Sequence, residues 1–184
     1  EDFFSSVAAR IRARLVNRSA TDIAVRVAGV EVKTLSAVVE DTEYRENAIY
    51  GLMHFMPPGV PGLIVLQGGL LSKIVGAMLG EQMSDDDDPP MVRALTTVEQ
   101  QIALRVCKDV VSEIKDVWPV GDPPRIDLDR PATSGRVVSG TTRTVEVYSA
   151  TLDFGPPTNP YGLLCCCVPV QVFKDMGGSS VSDA

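Results

Sequence analysis

The residue types that most often carry chemistry are few in this 184-residue sequence, and their spacing fits no catalytic or metal-binding pattern. His54 is the only histidine, and no Ser or Cys nucleophile signature accompanies it, so a structural role is favoured over a catalytic one. Cys165, Cys166 and Cys167 are consecutive, and Cys107 stands apart from them. Because no C-x-x-C spacing exists, the four side chains are predicted to be small buried hydrophobes in a reducing compartment. We therefore expect no catalytic residue, no metal and no cofactor.

Two further patterns could bind an ion or a nucleotide but lack the residues that such sites need. Asp85 to Asp88 are four successive aspartates, followed by two prolines. A calcium-binding EF-hand loop needs alternating acids, a glycine at its sixth position and a glutamate at its twelfth, so a solvated acidic loop is favoured. Gly68 and Gly69 lack the remaining glycines of a dinucleotide-binding loop, and tight-turn glycines are the favoured interpretation.

The composition describes an acidic chain with enough apolar residues for one core. The net charge is −7, the pI is about 4.7 and 45% of the residues are hydrophobic. The acidic balance argues against a nucleic-acid partner, which would require clustered Lys and Arg. No apolar run reaches the roughly eighteen residues of a membrane span and no signal-peptide pattern is present, so we expect a soluble, cytoplasmic protein. The start at Glu1 rather than at a methionine suggests an excised piece of a longer protein.

The best-defined element is a helix predicted over 95–118. Thr96 and Glu99 have the S/T-x-x-E spacing of a capping box, and Pro119 cannot continue the helix because it lacks an amide proton. Apolar residues recur at steps of three and four and predict one buried stripe: Val98, Ile102, Val106, Val110, Ile114 and Val117. The polar residues, Glu99 and Glu113 among them, are assigned mostly to the solvated faces.

Two more helices are predicted, over 3–20 and over 68–80. The first carries Arg10, Arg12 and Arg14 as a local basic strip on an acidic protein. This strip is either a solvated face that pairs with the chain's own acids or a docking surface for a neighbour's acids. The second helix ends at Gly80, which we assign to the C′ position that favours glycine.

Alternating or continuous apolar stretches predict six strands, with a kink or bulge at Gly29 in the first. A weak helical turn or an irregular link is predicted over 34–43, and a polar link over 131–140. The predicted strands cover 22–33, 47–56, 62–66, 125–129, 142–154 and 161–168.

The two halves of the chain repeat each other at an offset of about one hundred residues. Phe55-Met56-Pro57-Pro58 precedes Pro61-Gly62-Leu63, and Phe154-Gly155-Pro156-Pro157 precedes Tyr161-Gly162-Leu163. The repeat predicts an α/β (α+β) fold with a pseudo-two-fold axis and long antiparallel strands. Two long helices and one shorter helix are expected to pack on one face of the sheet. We assign 1–176 to this domain and 177–184 to a flexible tail or linker.

This ordered set of features resembles the middle domain of the flagellar motor switch protein FliM, within the CheC/CheX/FliM fold family. The resemblance is carried by Leu95-Thr96-x-x-Glu99-Gln100 at the start of a long helix that closes near Asp116-x-Trp118. It is also carried by the Gly62-Leu63 strand and by the helix that ends Met78-Leu79-Gly80. The similarity covers nearly the whole chain, about 2–176, and implies a CheC-like pseudo-two-fold domain.

The resemblance implies a non-enzymatic scaffold in the cytoplasmic switch ring, or C-ring. FliM middle domains stack side by side in this ring and hold FliG, which places them at the cytoplasmic face of the inner membrane in the flagellar basal body. Partners implied are FliG and neighbouring copies, with phosphorylated CheY and FliN as further candidates. In the full protein, an amino-terminal segment that catches phosphorylated CheY and a carboxy-terminal FliN-like domain flank this domain. No small-molecule substrate is implied. A switch-like scaffold of a type III secretion system is an alternative that the sequence leaves open.

A second alternative is a CheC-like phosphatase of a response regulator. These phosphatases resemble each other through a D/S-x-x-x-E-x-x-N signature on their long helices, whose Glu and Asn orient a water against an aspartyl phosphate. The chain has three asparagines, Asn17, Asn47 and Asn159, and none follows a helical Glu by three positions. This comparison disfavours phosphatase activity.

The resemblance also implies where partners would bind. FliM carries a Gly-Gly-x-Gly loop used in docking FliG, and Gly80, Glu81, Gln82 and Met83 stand at the matching place here. Only Gly80 is retained, so the backbone freedom of consecutive glycines is missing. We predict that this loop and the neighbouring acidic stretch form the partner surface. The arginine strip of the first helix is predicted to form lateral contacts with neighbouring copies.

Overall fold

The computed structural model describes residues 2–19, 23–43, 47–57, 59–81, 94–119 and 121–177. Five α-helices and six β-strands lie within these ranges, and two short 3-10 helices, Gly135–Val137 and Gly140–Thr144, accompany them. The helices are α1 (Asp2–Ser19), α2 (Leu35–Glu43), α3 (Gly68–Met78), α4 (Thr97–Asp116) and α5 (Val170–Gly177). The strands are β1 (Val25–Thr34), β2 (Ile49–Met56), β3 (Val60–Leu66), β4 (Arg125–Leu128), β5 (Glu146–Phe154) and β6 (Gly162–Pro169).

The six strands form one antiparallel sheet in the order β1-β5-β6-β3-β2-β4. Exchanging β1 with β4, β2 with β5 and β3 with β6 gives the same order read backwards. The predicted pseudo-two-fold fold is therefore confirmed, with the axis between β3 and β6. The hairpins β2–β3 and β5–β6 are both formed, and in the sequence each Pro-Pro segment of the repeat lies between the two strands of a hairpin.

Both faces of the sheet are covered, whereas the sequence predicted cover on one face. The helices α1, α3 and α4 pack on one face. On the other face, Leu35, Val38 and Val39 of α2 form a second core with Val138 and alternate residues of the strands. Successive side chains of a strand point to opposite faces, so Ile64 lies in the first core and Val65 in the second. The all-apolar run in β3 follows from this double burial.

Helix α4 begins as predicted and buries a face that is rotated from the predicted stripe. The Thr96 hydroxyl accepts a hydrogen bond from the Glu99 amide at 3.2 Å, and the Glu99 carboxylate accepts one from the Thr96 amide at 2.7 Å, which completes the capping box. Val98 is 63% exposed and lies outside the core, in contrast to the prediction. The small side chains of Ala103 and Cys107 are fully buried instead. Their small size lets the helix approach the sheet closely. The spacing of apolar residues in the sequence does not take side-chain size into account, so it did not predict this packing.

Several other boundaries differ from the prediction. The strand predicted over 142–154 begins at Glu146, because Gly140–Thr144 forms a 3-10 helix. The predicted bulge in β1 is confirmed by a register shift between Val27 and Gly29 against β5. The weak turn predicted over 34–43 is a full helix, α2.

Helix α5 was not predicted. Its eight residues follow β6 without a break. One of them, Phe173, is part of an aromatic cluster. The Phe173 ring stacks on Trp118 with 5.5 Å between centroids, and its edge-to-face contacts are with Phe3 at 5.3 Å and Tyr148 at 5.6 Å. The helix is therefore stabilised by tertiary contacts with α1, β5 and the segment after α4.

Candidate functional site

The predicted docking loop begins at a defined helix end. The Glu81 amide donates to the Gly76 carbonyl at 2.9 Å, and the Gly80 amide donates to the Ala77 carbonyl at 3.2 Å. These two bonds form a Schellman motif, and Gly80 has the positive φ of 91° that its C′ position requires. The predicted role of Gly80 as the helix stop is confirmed.

The last turn of α3 presents two apolar side chains to solvent beside an acid. Met78 is 43% exposed and Leu79 is 77% exposed. The Glu81 carboxylate lies over Gly76, where an added Cβ would come within 2.5 Å of its Oε2 atom. Of the four predicted loop residues, Gly80 and Glu81 are therefore placed. Gln82, Met83 and the four aspartates lie outside the described residues.

The second predicted surface is the arginine strip of α1, and two of its three arginines face α4. The Arg10 Nε atom lies 2.5 Å from Glu113 Oε2, and the Arg14 Nε atom lies 2.5 Å from Glu113 Oε1. Arg10 also pairs with Asp116 at 2.7 Å, and Arg14 with Asp109 at 3.2 Å. We call this set of five residues the α1–α4 clamp.

The centre of the α1–α4 clamp is a buried carboxylate. The Glu113 side chain is 2% exposed, so each of its oxygens relies on one guanidinium for the hydrogen bonding that water would otherwise supply. The hydrogen bonds to Glu113 and then to Asp116 raise the pKa of Arg10 above its ordinary value. Glu99 and Glu113 were both assigned to solvated faces, and both are buried. The Glu99 carboxylate has its hydrogen-bond partner in the cap of its own helix, whereas the partners of the Glu113 carboxylate lie on α1.

The arginine strip is thus divided between two environments. Arg10 and Arg14 pair with the chain's own acids, which was one of the two interpretations that the sequence left open. Arg12 lies on the exposed side of α1. Contacts with neighbouring copies through these three residues stay a prediction.

The α1–α4 clamp also contains a pattern that the sequence reading missed. Asp109, Glu113 and Asp116 have the spacing of the phosphatase signature D/S-x-x-x-E-x-x-N, with aspartate in place of asparagine. A search that allowed Asp for Asn would have found it. An aspartate carboxylate cannot donate the hydrogen bonds of an amide, and a Glu113 held by two guanidiniums is not available to orient a water.

The remaining reactive side chains are in structural settings. The four cysteines are free and buried, as predicted, and burial raises the pKa of Cys107 and of Cys166 to about 12. The His54 Nε2 atom lies 3.1 Å from Asp129 Oδ2 at the β2–β4 edge. Within the part of the chain that is described, no group of three or more His, Cys, Asp or Glu residues could hold a metal ion. In the same ranges, no helix combines the length and the apolar character needed to cross a membrane.

Comparison with solved structures identifies proteins of the same fold. The FliM middle domain from H. pylori matches with a TM-score of 0.76 and 14% identity over 95% of this chain and 92% of that chain. A FliG–FliM complex from H. pylori matches with a TM-score of 0.77 and 15% identity over 92% and 90%. The chemotaxis protein CheX from Vibrio vulnificus matches less well, with a TM-score of 0.53 and 14% identity over 91% and 99%. No protein-family model and no curated protein matches the chain. The chain therefore has the fold of FliM middle domains.

Proposed function

We propose that this chain is a non-enzymatic scaffold domain of a flagellar motor switch. The observation that carries the proposal is the fold match to FliM middle domains over more than nine-tenths of the chain, one of them in a complex with FliG. The domain would link FliG to the rest of the C-ring at the cytoplasmic face of the inner membrane. Rigid-body tilting of neighbouring copies would pass the chemotaxis signal to the direction of rotation.

The FliG contact is proposed at the end of α3. Leu79 is a large apolar side chain with most of its surface in water, and Glu81 follows it directly. Partner sites commonly centre on such an apolar anchor with charged residues around it. The Schellman motif at Gly80 fixes where this anchor points, which would replace part of what consecutive glycines provide in the FliM loop.

The test is titration calorimetry of the chain against FliG from the same cell. We expect binding in the micromolar range or tighter, and Leu79→Ser should weaken it about tenfold or more, since removal of an interface anchor costs upwards of about 1.4 kcal/mol. The matched control is Val32→Ser on β1, where the same kind of apolar side chain is 57% exposed. The control should bind like the parent chain.

Absence of binding to folded FliG would reject the switch function for this chain. In that case a switch-like scaffold of a type III secretion system would be tested with the corresponding secretion components. Equal weakening by Leu79→Ser and Val32→Ser would instead reject the α3 site and leave the function standing.

The alternative function is phosphatase activity. It is considered again because the spacing of Asp109, Glu113 and Asp116 matches the phosphatase signature except for its final asparagine. We expect the chain to leave the rate of phosphate loss from a phosphorylated response regulator unchanged, because the amide is absent and Glu113 is buried between two arginines. Acceleration that Glu113→Gln abolished would establish the phosphatase function instead.

A further inference from the structure

The second half of α1 has little apolar contact with the rest of the molecule. Phe4, Val7, Ala8 and Ile11 in the first ten or so residues of α1 are buried. Over 12–17 no side chain is fully buried; the apolar side chains that are half-buried are Leu15, which packs against the core, and Val16. Apolar burial therefore fixes the beginning of α1 and contributes little to the position of its end.

A cleft lies beneath this half of α1. It runs between α1, α3 and α4 down to β5, and it is lined by Ile11, Leu15, Ile74, Val106, Val110 and Phe154. Arg14 and Asp109, which pair at 3.2 Å, line the same cleft. The gap is small and most of its apolar lining is buried, so it marks a local reduction of the apolar contacts beneath this half of α1.

Polar contacts of Arg14 hold this half of α1 against α4. Its guanidinium reaches Glu113 at 2.5 Å, Asp109 at 3.2 Å and the Ser112 hydroxyl at 3.2 Å. Glu113 is almost fully buried, and Arg10 pairs with its other oxygen. Hydrogen bonds to a buried charge are stronger than neutral ones, and water replaces them when the two helices separate.

We propose that 12–19 is a latched flap that Arg14 holds closed on α4 through Glu113 and Asp109. Loss of these pairs opens the flap at about Ile11 and exposes the cleft, while the sheet and α4 keep their structure. The latch depends on charge, so ionic strength, or a partner that offers a competing carboxylate to Arg14, shifts the flap toward its open state. This device is independent of the proposed partner function.

Hydrogen exchange followed by mass spectrometry tests the latch on the whole chain. In Arg14→Gln, peptides that cover 12–19 should exchange about tenfold faster or more, while peptides from the sheet and α4 keep the parent rates. Arg14→Lys should restore part of the protection because it keeps the charge but not the forked geometry. The matched control is Arg105→Gln, an exposed arginine of α4, which should behave like the parent chain.

Salt supplies a test that needs no substitution. Raising ionic strength from about 0.05 M to about 1 M should accelerate exchange over 12–19 in the parent chain and have a smaller effect in Arg14→Gln. Parent-like exchange over 12–19 in Arg14→Gln would overturn the proposal. Equal acceleration in α1, α4 and the sheet would also overturn it, because the ion pairs would then stabilise the whole fold rather than latch one segment.

Discussion

The Cys107 thiol lies between α4 and β2, where Gly51 leaves room for its sulfur. A Cβ at Gly51 would come within 3.0 Å of Cys107 Sγ. Burial raises the pKa of Cys107 to about 12 in the folded state, from an ordinary value of 9.0. Above about pH 9 the unfolded chain releases this proton while the folded chain keeps it. The stability that the neutral thiol contributes is therefore complete below pH 9 and is lost as pH rises toward 12.

Replacing this thiol should make the free energy of unfolding less sensitive to alkaline pH. Between about pH 8 and about pH 10, the parent chain should lose about 1.4 kcal/mol more than Cys107→Ala, since one group with a changed pKa contributes about 1.4 kcal/mol per pH unit. Urea unfolding at the two pH values measures the difference. Val110→Ala, a buried substitution without a proton, should destabilise the chain and keep the parent pH dependence. Identical pH dependence in the parent and Cys107→Ala would contradict the burial of the thiol.

Glu113 shows why residue-scale predictions succeed for local partners and fail for distant ones. Glu99 has its partner three positions away, so the capping box could be predicted from spacing alone. The guanidiniums that satisfy Glu113 belong to another helix, and Arg10 is 103 positions away. A contact between residues so far apart cannot be predicted from their spacing in the sequence. The local pattern is compatible with a solvated Glu113 or with a paired one, and the packing of α1 on α4 determines that it is paired.

Elements that carry their own boundary signals were predicted, and elements that depend on packing were not. Helix α3 has a glycine stop, α4 has a capping box, and the two main hairpins have a Pro-Pro pair in the sequence between their strands, so all four features could be inferred locally. The short helix α5 has no such signal and forms because Phe173 fits among the other aromatic rings. The rotation of the buried face of α4 likewise follows from contacts with the sheet.

The two ends of α3 should respond in opposite ways to the same substitution. Gly80 has a φ of 91°, so Gly80→Ala should destabilise the chain by about 1 kcal/mol because a Cβ is unfavourable in that conformation. Gly69 is exposed in the first turn with open space around its Cα atom, so Gly69→Ala should stabilise by about 0.5–1 kcal/mol. Thermal or urea unfolding of both variants measures the contrast. A Gly80→Ala variant as stable as the parent chain would contradict the positive φ at the Schellman motif.

At the scale of the whole molecule, the repeat in the sequence predicted the symmetry but not the exchange of edge strands between halves. The offset of about one hundred residues led to the pseudo-two-fold arrangement that the sheet order confirms. Strand β1 of the first half pairs with β5 of the second, and β4 of the second half pairs with β2 of the first. Pairing between distant antiparallel strands leaves no local pattern. The candidate surfaces followed the same rule, since the stop of α3 at Gly80 could be predicted, whereas the sequence left open whether Arg10 and Arg14 pair with acids of the same chain.

An aromatic cluster joins the beginning, the middle and the end of the chain. Phe3 comes from α1, Trp118 follows α4, and Phe173 lies on α5, with ring centroids 5.3–5.9 Å apart. These contacts lie far apart in sequence, so they form only when both halves are in place. Trp118 is the only tryptophan, and its fluorescence therefore reports on this cluster alone.

Removing the central ring should loosen both termini of the domain at once. Phe173→Ala should lower the free energy of unfolding by about 2 kcal/mol, less than for a fully buried ring because Phe173 is only partly buried. The Trp118 emission should shift to the red in the folded state, since the stacked ring that shields one face of the indole is lost. Gln171→Ala, an exposed change on the same helix, should alter neither quantity. An unchanged emission maximum in Phe173→Ala would mean that α5 does not pack against Trp118. A red shift without loss of stability would mean that α5 contributes shielding but no energetic coupling between the halves.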